Sequence, residues 1–362
     1  MTETPSSDPY SELDLEIRPF SHYSLIIDAR TPKEFEDDHI PGAVNLYVVS
    51  EKQFAEVGIL HKQDKHGAYL LGIGYALACI SEHIKTHISS YSPEDRMLVY
   101  CLRGGKRSRV WAESLRTIGF KVDVVQGGWK AYRRWVLANL GAESKNFEYR
   151  VIAGATGTGK TRLLHALEAE GGQVLDLEGI ACHRGSLIGA VPGRIQPSQK
   201  LFDSLIFQKL RTFRNDRYVW IESESKKIGQ VQIPGAMYEA MHQSPVYILD
   251  ALIEERVRLW HEDYGHYKED LMGMLDKMTR VKEIIGSKLF AEWRVLAANG
   301  QASELFQSMM LDYYDRLYKT SLNRNYENLA AATKLVPTDL GQESMRSIAR
   351  SLLSDSRKPP LV

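Results

Sequence analysis

The sequence predicts an α/β protein of two successive domains, each built around a mostly parallel sheet, with a helical region at the C-terminal end. Short apolar runs alternate with amphipathic segments between Leu25 and Tyr132, a pattern typical of parallel strands joined by crossover helices. A second alternation begins at Phe147, and from about Asp250 the apolar residues follow helical spacing. These observations together define the predicted fold class.

The elements of the first domain follow from apolar runs and turn signals. Strands are predicted at residues 24–30, after the turn at 39–45, and at 97–100 and 122–125. Helices are predicted from Thr31, over 67–87 and 106–119, and after the glycine pair 127–128. We place the first domain at residues 14–137, a linker at 141–145 and the second domain, with its helical extension, at 147–362.

Composition limits the classes of partner. The chain has 362 residues, and its 46 Lys and Arg balance its 46 Asp and Glu, so a nucleic-acid surface must be a local basic patch. Apolar runs are too short to span a bilayer, and residues 1–12 are polar and acidic, unlike a signal peptide. We expect a cytoplasmic protein without a membrane partner.

Cys101 is the candidate nucleophile. It follows a strand and precedes a helix, and Gly104 and Gly105 allow the loop to aim successive N–H groups at one point. Three cations strengthen the positive field, namely Arg103, Lys106 and Arg107. We therefore predict a lowered thiol pKa and a functional thiolate. The alternative is an inert buried cysteine at a strand end, the assignment we give to Cys79 and Cys182.

Residues 154–161 match the pattern G-x-x-x-x-G-K-T, with a strand before them and a helix after them. This context is typical of a phosphate-binding P-loop, and the alternative is a glycine-rich turn. Backbone N–H groups would bind phosphate, Lys160 would neutralise it, and Thr161 would ligate Mg²⁺. The predicted phosphate-binding residues are Gly154, Thr156, Gly157, Thr158, Gly159, Lys160 and Thr161.

Acidic metal partners are expected after neighbouring strands. Asp176 and Glu178 follow the predicted strand 173–175, and Glu222 follows 218–221. The sequence does not decide among them.

A basic segment is the candidate surface for nucleic-acid phosphates, with Phe213 available for stacking on unpaired bases. A solvated helix face is an equally good interpretation. The segment comprises His183, Arg184, Arg194, Lys200, Lys209, Arg211, Arg214 and Arg217.

The first domain resembles a rhodanese domain. The resemblance depends on Asp28-Ala29-Arg30, Glu34-Phe35, residues 39–43, the Cys101 loop and Gly127-Gly128-Trp129. Five residues lie between Cys101 and Arg107, one more than sulfur-transferring rhodaneses typically have. The wider loop is similar to that of related phosphatases and arsenate reductases, and it suits a phosphate-sized anion.

Nearly the whole chain resembles the tRNA 2-selenouridine synthase family. Beyond the two loops, the resemblance depends on residues 176–186, 202–204, 222–229 and 312–315. Three positions depart from the family pattern: Leu102 replaces an expected Trp, Cys182 an expected Asn, and Arg316 an expected Pro.

The resemblance implies two steps on the wobble 2-thiouridine of tRNA: S-geranylation by geranyl diphosphate, then selenation by selenophosphate. Cys101 would be the selenium-handling nucleophile, as S-selanylcysteine, in a cradle formed with Arg103, Gly104, Gly105 and Arg107. The P-loop would bind the diphosphate. Selenophosphate synthase is an implied protein partner, Mg²⁺ is the candidate metal, and no organic cofactor is expected.

Two other interpretations retain both loops. One is a phosphatase-like or sulfurtransferase domain fused to an ATP-dependent small-molecule kinase. The other is a non-catalytic, nucleotide-gated sulfur-carrier scaffold. Rapid ATP-dependent phosphorylation would support the kinase, and labelling of Cys101 without turnover would support the scaffold.

Overall fold

The computed structural model describes Leu15 and residues 17–354. Some of the sequence predictions involve residues outside this description, namely residues 1–12, 14 and 355–362. The chain forms two compact units. The first extends to Leu140 and includes Pro197–Gln208, and the second contains Gly141–Gln196 and the chain from Lys209 onward. Both contain parallel sheets with helices, so the predicted fold class is confirmed.

The first unit contains a four-stranded parallel sheet in the order β2-β1-β3-β4. Its strands are β1 (Leu25–Asp28), β2 (Val44–Asn45), β3 (Arg96–Tyr100) and β4 (Lys121–Val124). Ile27 pairs with Val99, and both are fully buried. Because Asp28 pairs with Tyr100, the carboxyl ends of β1 and β3 meet at the edge where Cys101 follows.

Five helices belong mainly to the first unit: α1 (Pro32–Asp37), α2 (Glu51–Gln63), α3 (Lys65–His83), α4 (Lys106–Thr117) and α5 (Gly128–Lys145). A π-helical turn at Ile84–Ile88 continues α3. Capping boxes begin α1 and α2. The sequence analysis missed α2 because none of its side chains is fully buried, which leaves no clear apolar stripe.

The predicted linker at residues 141–145 is wrong, because these residues form the last part of α5. Gly141 costs helix stability, but Ala142 and Glu143 favour a helix. Ser144 is fully buried, and its carbonyl accepts a 2.7 Å hydrogen bond from the hydroxyl of Tyr149. These tertiary contacts outweigh the glycine.

The second unit has a five-stranded parallel sheet in the order β11-β10-β5-β7-β6 and a two-stranded antiparallel pair, β8-β9. The strands are β5 (Tyr149–Ala153), β6 (Gln173–Leu175), β7 (Val219–Glu222), β8 (Lys227–Ile228), β9 (Val231–Gln232), β10 (Val246–Leu249) and β11 (Thr333–Leu335). Strand β5 is central, so the loop after it lies at the middle of the sheet edge.

Eleven further α-helices follow β5 in the described part of the chain, and all except α8 lie in the second unit. They are α6 (Lys160–Ala169), α7 (Leu177–Ala181), α8 (Gln199–Leu210), α9 (Gly235–His242), α10 (Ile253–Asp263), α11 (Leu271–Lys277), α12 (Lys282–Ile285), α13 (Ser287–Ala298), α14 (Ala302–Met309), α15 (Asp315–Asn325) and α16 (Gln342–Ser354). Most of α8 belongs to the first unit. Trp260, Trp293 and Phe306 form the core of the helical region. Within the described chain, no helix is both long and apolar enough to cross a membrane.

Candidate thiolate and phosphate-binding sites

Cys101 lies directly after β3 and is only 3% exposed. The backbone N–H of Gly105 donates to its Sγ atom over 3.2 Å. The Ser108 hydroxyl lies 3.3 Å from the same sulfur. The loop therefore surrounds the sulfur with donors, and Ser108 is a contact that the sequence analysis did not identify.

These contacts decide the ionisation of the thiol. Burial raises the pKa of Cys101, but hydrogen bonds from the Ser108 hydroxyl and from the backbone of Arg103 and Ser108 lower it. The charge of Arg107 lowers it further, and the net result is a pKa below the ordinary value for cysteine. A larger fraction of Cys101 is therefore thiolate near neutral pH.

The three predicted cations have different positions. Arg107 forms a forked ion pair with Glu34, with N–O distances of 2.6 and 3.2 Å. Lys106 places its Nζ atom 3.0 Å from the ring centroid of Tyr69. Arg103 is exposed, and it acts on Cys101 through its backbone N–H. Thus the backbone and one side-chain charge stabilise the thiolate, rather than three converging side chains.

Gly128 makes the loop possible. Its φ is +61°, and a Cβ atom there would lie 2.1 Å from the carbonyl oxygen of Cys101. That carbonyl accepts a hydrogen bond of 2.8 Å from the N–H of Trp129. Only glycine permits this approach of two backbone segments.

The predicted P-loop connects central β5 to α6. A Cβ atom on Gly154 would lie 2.5 Å from Thr158 Oγ1 and 2.6 Å from the carbonyl oxygen of Leu249, so the close packing here requires glycine. Lys160 Nζ donates to the carbonyl oxygens of Gly154 and Ala155 over 2.9 and 3.4 Å. The lysine therefore lies against the loop that would hold phosphate.

The helical region contacts the P-loop through two side chains. The Tyr318 hydroxyl accepts a 2.6 Å hydrogen bond from the N–H of Gly154. Arg256 donates to the carbonyl of Thr156 over 2.9 Å and forms a buried forked pair with Asp315, at 2.7 and 3.0 Å. Asp315 is part of the motif at 312–315, but its partner could not be deduced from local sequence.

Three acidic residues gather beside the P-loop. Glu222 ends β7 and accepts a 3.1 Å hydrogen bond from the N–H of Glu178. The Thr161 hydroxyl donates to Glu178 over 3.4 Å. Glu224 belongs to the same group and was missed by the sequence analysis. Asp176 instead caps α7, accepting from the N–H of Gly179 over 2.7 Å.

The pKa values of the three glutamates are raised above the ordinary value. Burial, and then the charge of Glu224, raises the pKa of Glu178 well above its ordinary value, and burial followed by Glu178 does the same for Glu222. Burial, and then Glu222, raises the pKa of Glu224 to about 7. The Lys160 charge lowers all three values. Within residues 17–354, no cluster of three or more His, Cys, Asp or Glu side chains could hold a metal ion.

A cavity of about 1050 Å³ is lined by P-loop residues, by Glu178 and Glu224, and by a set of aromatic and aliphatic side chains that we call the apolar wall. The wall residues are Leu187, Leu259, Trp260, Tyr264, Tyr313 and Leu317. His183, Arg184 and Arg194 also line the cavity. One space within the second unit is therefore lined both by the P-loop with its lysine and by aromatic and aliphatic side chains.

The predicted basic segment does not form one surface. Arg214 and Arg217 precede β7. The backbone of Arg214 exchanges hydrogen bonds with the side chain of Gln173, and the Arg217 side chain donates to the carbonyl of Gly171, near the start of β6. They lie at the amino-terminal edge of the sheet, opposite the P-loop edge, and Arg211 precedes them in the same connection. The two lysines pair elsewhere, Lys200 with Asp37 and Lys209 with Glu168. Phe213 packs edge-on against Phe147, with centroids 6.0 Å apart.

The departure at Cys182 has a structural consequence. Cys182 follows α7, lines the cavity and has φ +50°, the left-handed conformation that Asn adopts more readily than Cys. Leu102 is half-buried, and its carbonyl accepts from the N–H of Lys130. Arg316 is exposed and lies 3.5 Å from Asp312. Leu102 does not disturb the loop after β3, and Arg316 does not interrupt α15.

The fold and its two loops define a protein that joins a rhodanese-like domain to a P-loop domain. A family model for the rhodanese-like domain matches residues 15–134, and one for the AAA domain of tRNA 2-selenouridine synthase matches residues 147–335. The chain belongs to the tRNA 2-selenouridine synthase family.

Relatives of the same family align over both domains. The tRNA 2-selenouridine synthase of Alcanivorax borkumensis is 30% identical, covering 84% of this chain and 91% of its own length. That of Marinobacter nauticus is 29% identical over 90% of this chain and 94% of its own. That of Nitrosomonas europaea is 33% identical over 66% of this chain and 63% of its own.

Proposed function

We propose that this protein is an enzyme that converts wobble 2-thiouridine in tRNA to 2-selenouridine, by S-geranylation and then selenation. Family membership supports action on tRNA 2-thiouridine. The observation that carries the geranyl step is the cavity that the P-loop and the apolar wall line together. A diphosphate with an isoprenoid tail matches both surfaces, since anions favour the loop and a C10 chain favours Leu, Trp and Tyr side chains.

In the first step, the 2-thio sulfur attacks C1 of geranyl diphosphate. A C–S bond forms, the C–O bond breaks, the diphosphate takes the electron pair, and the base loses its N3 proton. Negative charge grows on the leaving group, where Lys160 and the N–H groups of the loop stabilise it. Lys160 then exchanges its contacts with Gly154 and Ala155 for phosphate oxygens.

In the second step, selenium forms the C2–Se bond while the C2–S bond breaks. Geranylthiolate leaves and is protonated, N3 regains its proton, and water releases the phosphate from selenium. The exchange at C2 runs through Cys101, in the cradle formed by its loop with Arg107 and the backbone of Arg103, Gly104 and Gly105. The thiolate attacks C2 as geranylthiolate leaves, and the selenium of selenophosphate then attacks C2 and displaces the thiolate. The lowered pKa of the thiol supports this role.

Mg²⁺ fits beside the P-loop. Glu222 Oε2 is buried without a hydrogen-bond partner among the described residues, so this carboxylate has an oxygen available to a cation. Thr161, Glu178 and Glu222 would hold the ion together with phosphate oxygens, since Mg²⁺ usually takes few protein ligands. When bound, the ion would neutralise diphosphate charge. No organic cofactor is required for either step.

A product assay tests the function. Purified protein with 2-thiouridine tRNA and geranyl diphosphate is expected to yield S-geranyl-2-thiouridine, and addition of selenophosphate is expected to yield 2-selenouridine, by nucleoside mass spectrometry. Dependence of selenation on prior geranylation is the decisive result. Rapid ATP-dependent phosphorylation of a small molecule, without either nucleoside, would support the kinase fusion instead.

Placement of the arginines yields a prediction about tRNA binding. We propose Arg211, Arg214 and Arg217 as phosphate contacts, and His183, Arg184 and Arg194 as contacts near the target nucleotide in the cavity. Charge reversal of the first three is expected to weaken binding uniformly among tRNAs. It should also make the negative slope of log K against log salt concentration shallower by about two, since each lost phosphate contact reduces the magnitude of the slope by roughly 0.7.

The matched control reverses Arg280, Lys282 and Lys288, which are exposed on another surface of the second unit. It changes net charge equally and should leave the slope in filter-binding titrations close to that of wild type. Equal effects of both triple variants would mean that net charge alone is responsible. Weaker tRNA binding in the control variant alone would indicate that tRNA binds to the helical region.

A further inference from the structure

The largest group of exposed apolar side chains in the first unit lies on α2 and α3. We define the hairpin patch as Phe54, Tyr69, Leu70, Ile73 and Leu77, whose exposed fractions range from 38 to 59%. The last three have i, i+3, i+7 spacing and share a helix face. Contiguous exposed apolar surface of this kind marks a binding site more often than scattered single residues do.

The patch is continuous with the Cys101 loop. Lys106, at the start of α4, lies over the Tyr69 ring with its Nζ atom 3.0 Å from the centroid. The next residue, Arg107, places its guanidinium carbon 5.2 Å from the Phe54 centroid. The two aromatic rings of the patch therefore flank the first turn of the helix that begins at the cysteine loop.

Packing between α2 and α3 explains why the side chains of the patch remain exposed. A Cβ atom added at Gly72 would lie 3.6 Å from the Val57 side chain, and the Tyr75 hydroxyl donates to Glu56 over 2.8 Å, so α2 and α3 pack on each other. The buried side of α3 carries Ala68, Ala76 and Ile80. With these contacts made, Leu70 and Leu77 remain exposed at 59 and 52%.

We infer that the hairpin patch binds the geranyl chain of S-geranyl-2-thiouridine tRNA during selenation. This inference rests on the proposed function, which requires the prenylated base to approach Cys101. A prenylated RNA presents an apolar chain beside phosphates, and the patch presents apolar rings beside the exposed Lys106 and beside Arg107, which also pairs with Glu34.

The test uses the full chain and two tRNA substrates, one S-geranylated and one S-methylated at 2-thiouridine. Phe54→Ser combined with Ile73→Ser is expected to raise the KM for selenation of the geranylated tRNA roughly tenfold, because apolar contact area is lost. The KM for the methylated tRNA should change less than twofold. Leu137→Ser, which removes an apolar side chain 58% exposed on α5, is the matched control and should alter neither KM.

The outcomes separate the inference from the proposed function. If wild-type protein converts no geranylated tRNA, the proposed function fails and the inference with it. If wild type converts it and the double variant has an unchanged KM, or loses both substrates equally, only the inference fails. A wild-type dimer that the double variant dissociates in light scattering, with unchanged KM, would assign the patch to a second copy.

Discussion

Lys160→Ala is expected to reduce geranylation of 2-thiouridine tRNA by about a hundredfold to a thousandfold, because the diphosphate loses its main cation in the transition state. Lys160 also lowers the pKa of Glu178, Glu222 and Glu224, so its removal leaves these carboxylates protonated to higher pH. Loss of the lysine charge weakens binding of the anionic leaving group, whereas protonation of the carboxylates reduces their repulsion of it and offsets part of that loss. Rates of S-geranyl-2-thiouridine formation measured by nucleoside mass spectrometry check the prediction.

Selenation of tRNA that is already geranylated should survive this substitution much better, since its chemistry is assigned to Cys101. Lys268→Ala, at an exposed lysine of the same unit, is the control for general loss of charge and should retain both activities. Circular dichroism melting checks folding of both variants. Equal loss of both steps in Lys160→Ala would argue against separate sites.

Cys101→Ser is expected to stop the reaction at S-geranyl-2-thiouridine. A hydroxyl in the same cradle ionises far less readily than a thiol and is a poor nucleophile towards C2. Geranylation should continue, because the P-loop cavity contains no part of the cysteine loop. Accumulated S-geranyl nucleoside with no 2-selenouridine is the expected mass-spectrometric result. Normal production of 2-selenouridine by this variant would indicate that the cysteine loop binds substrate but takes no part in the chemistry.

The physical basis of this prediction can be measured separately. Iodoacetamide should alkylate Cys101 well below pH 8.5, the approximate pKa of a free cysteine. Ser108→Ala should move this profile to higher pH, because the hydroxyl that lowers the Cys101 pKa is lost. Cys79→Ser is the control and should leave the profile unchanged, since burial raises the Cys79 pKa. Peptide mass spectrometry identifies the labelled residue.

Local sequence determined the two loops and most elements around them. A strand directly before residue 154 and a helix starting at Lys106 were predicted, and both are observed, as β5 and α4. Such features depend on apolar periodicity, glycines and the residues of one turn, which all lie close together in the chain. The glycine pair 127–128 was also recognised, although its contact with the cysteine loop was not.

Only the tertiary structure decided which of these residues meet. The glutamates converge because β5, β7 and β6 are neighbours and their carboxyl ends lie at one edge, a strand order that periodicity does not encode. The same order places Arg214 and Arg217 at the opposite edge from Arg184, although all three belong to one basic segment of sequence. The linker error at 141–145 has the same origin, because buried contacts of Ser144 override the local signal of Gly141. Contacts between distant residues add free energy that no short window of sequence contains.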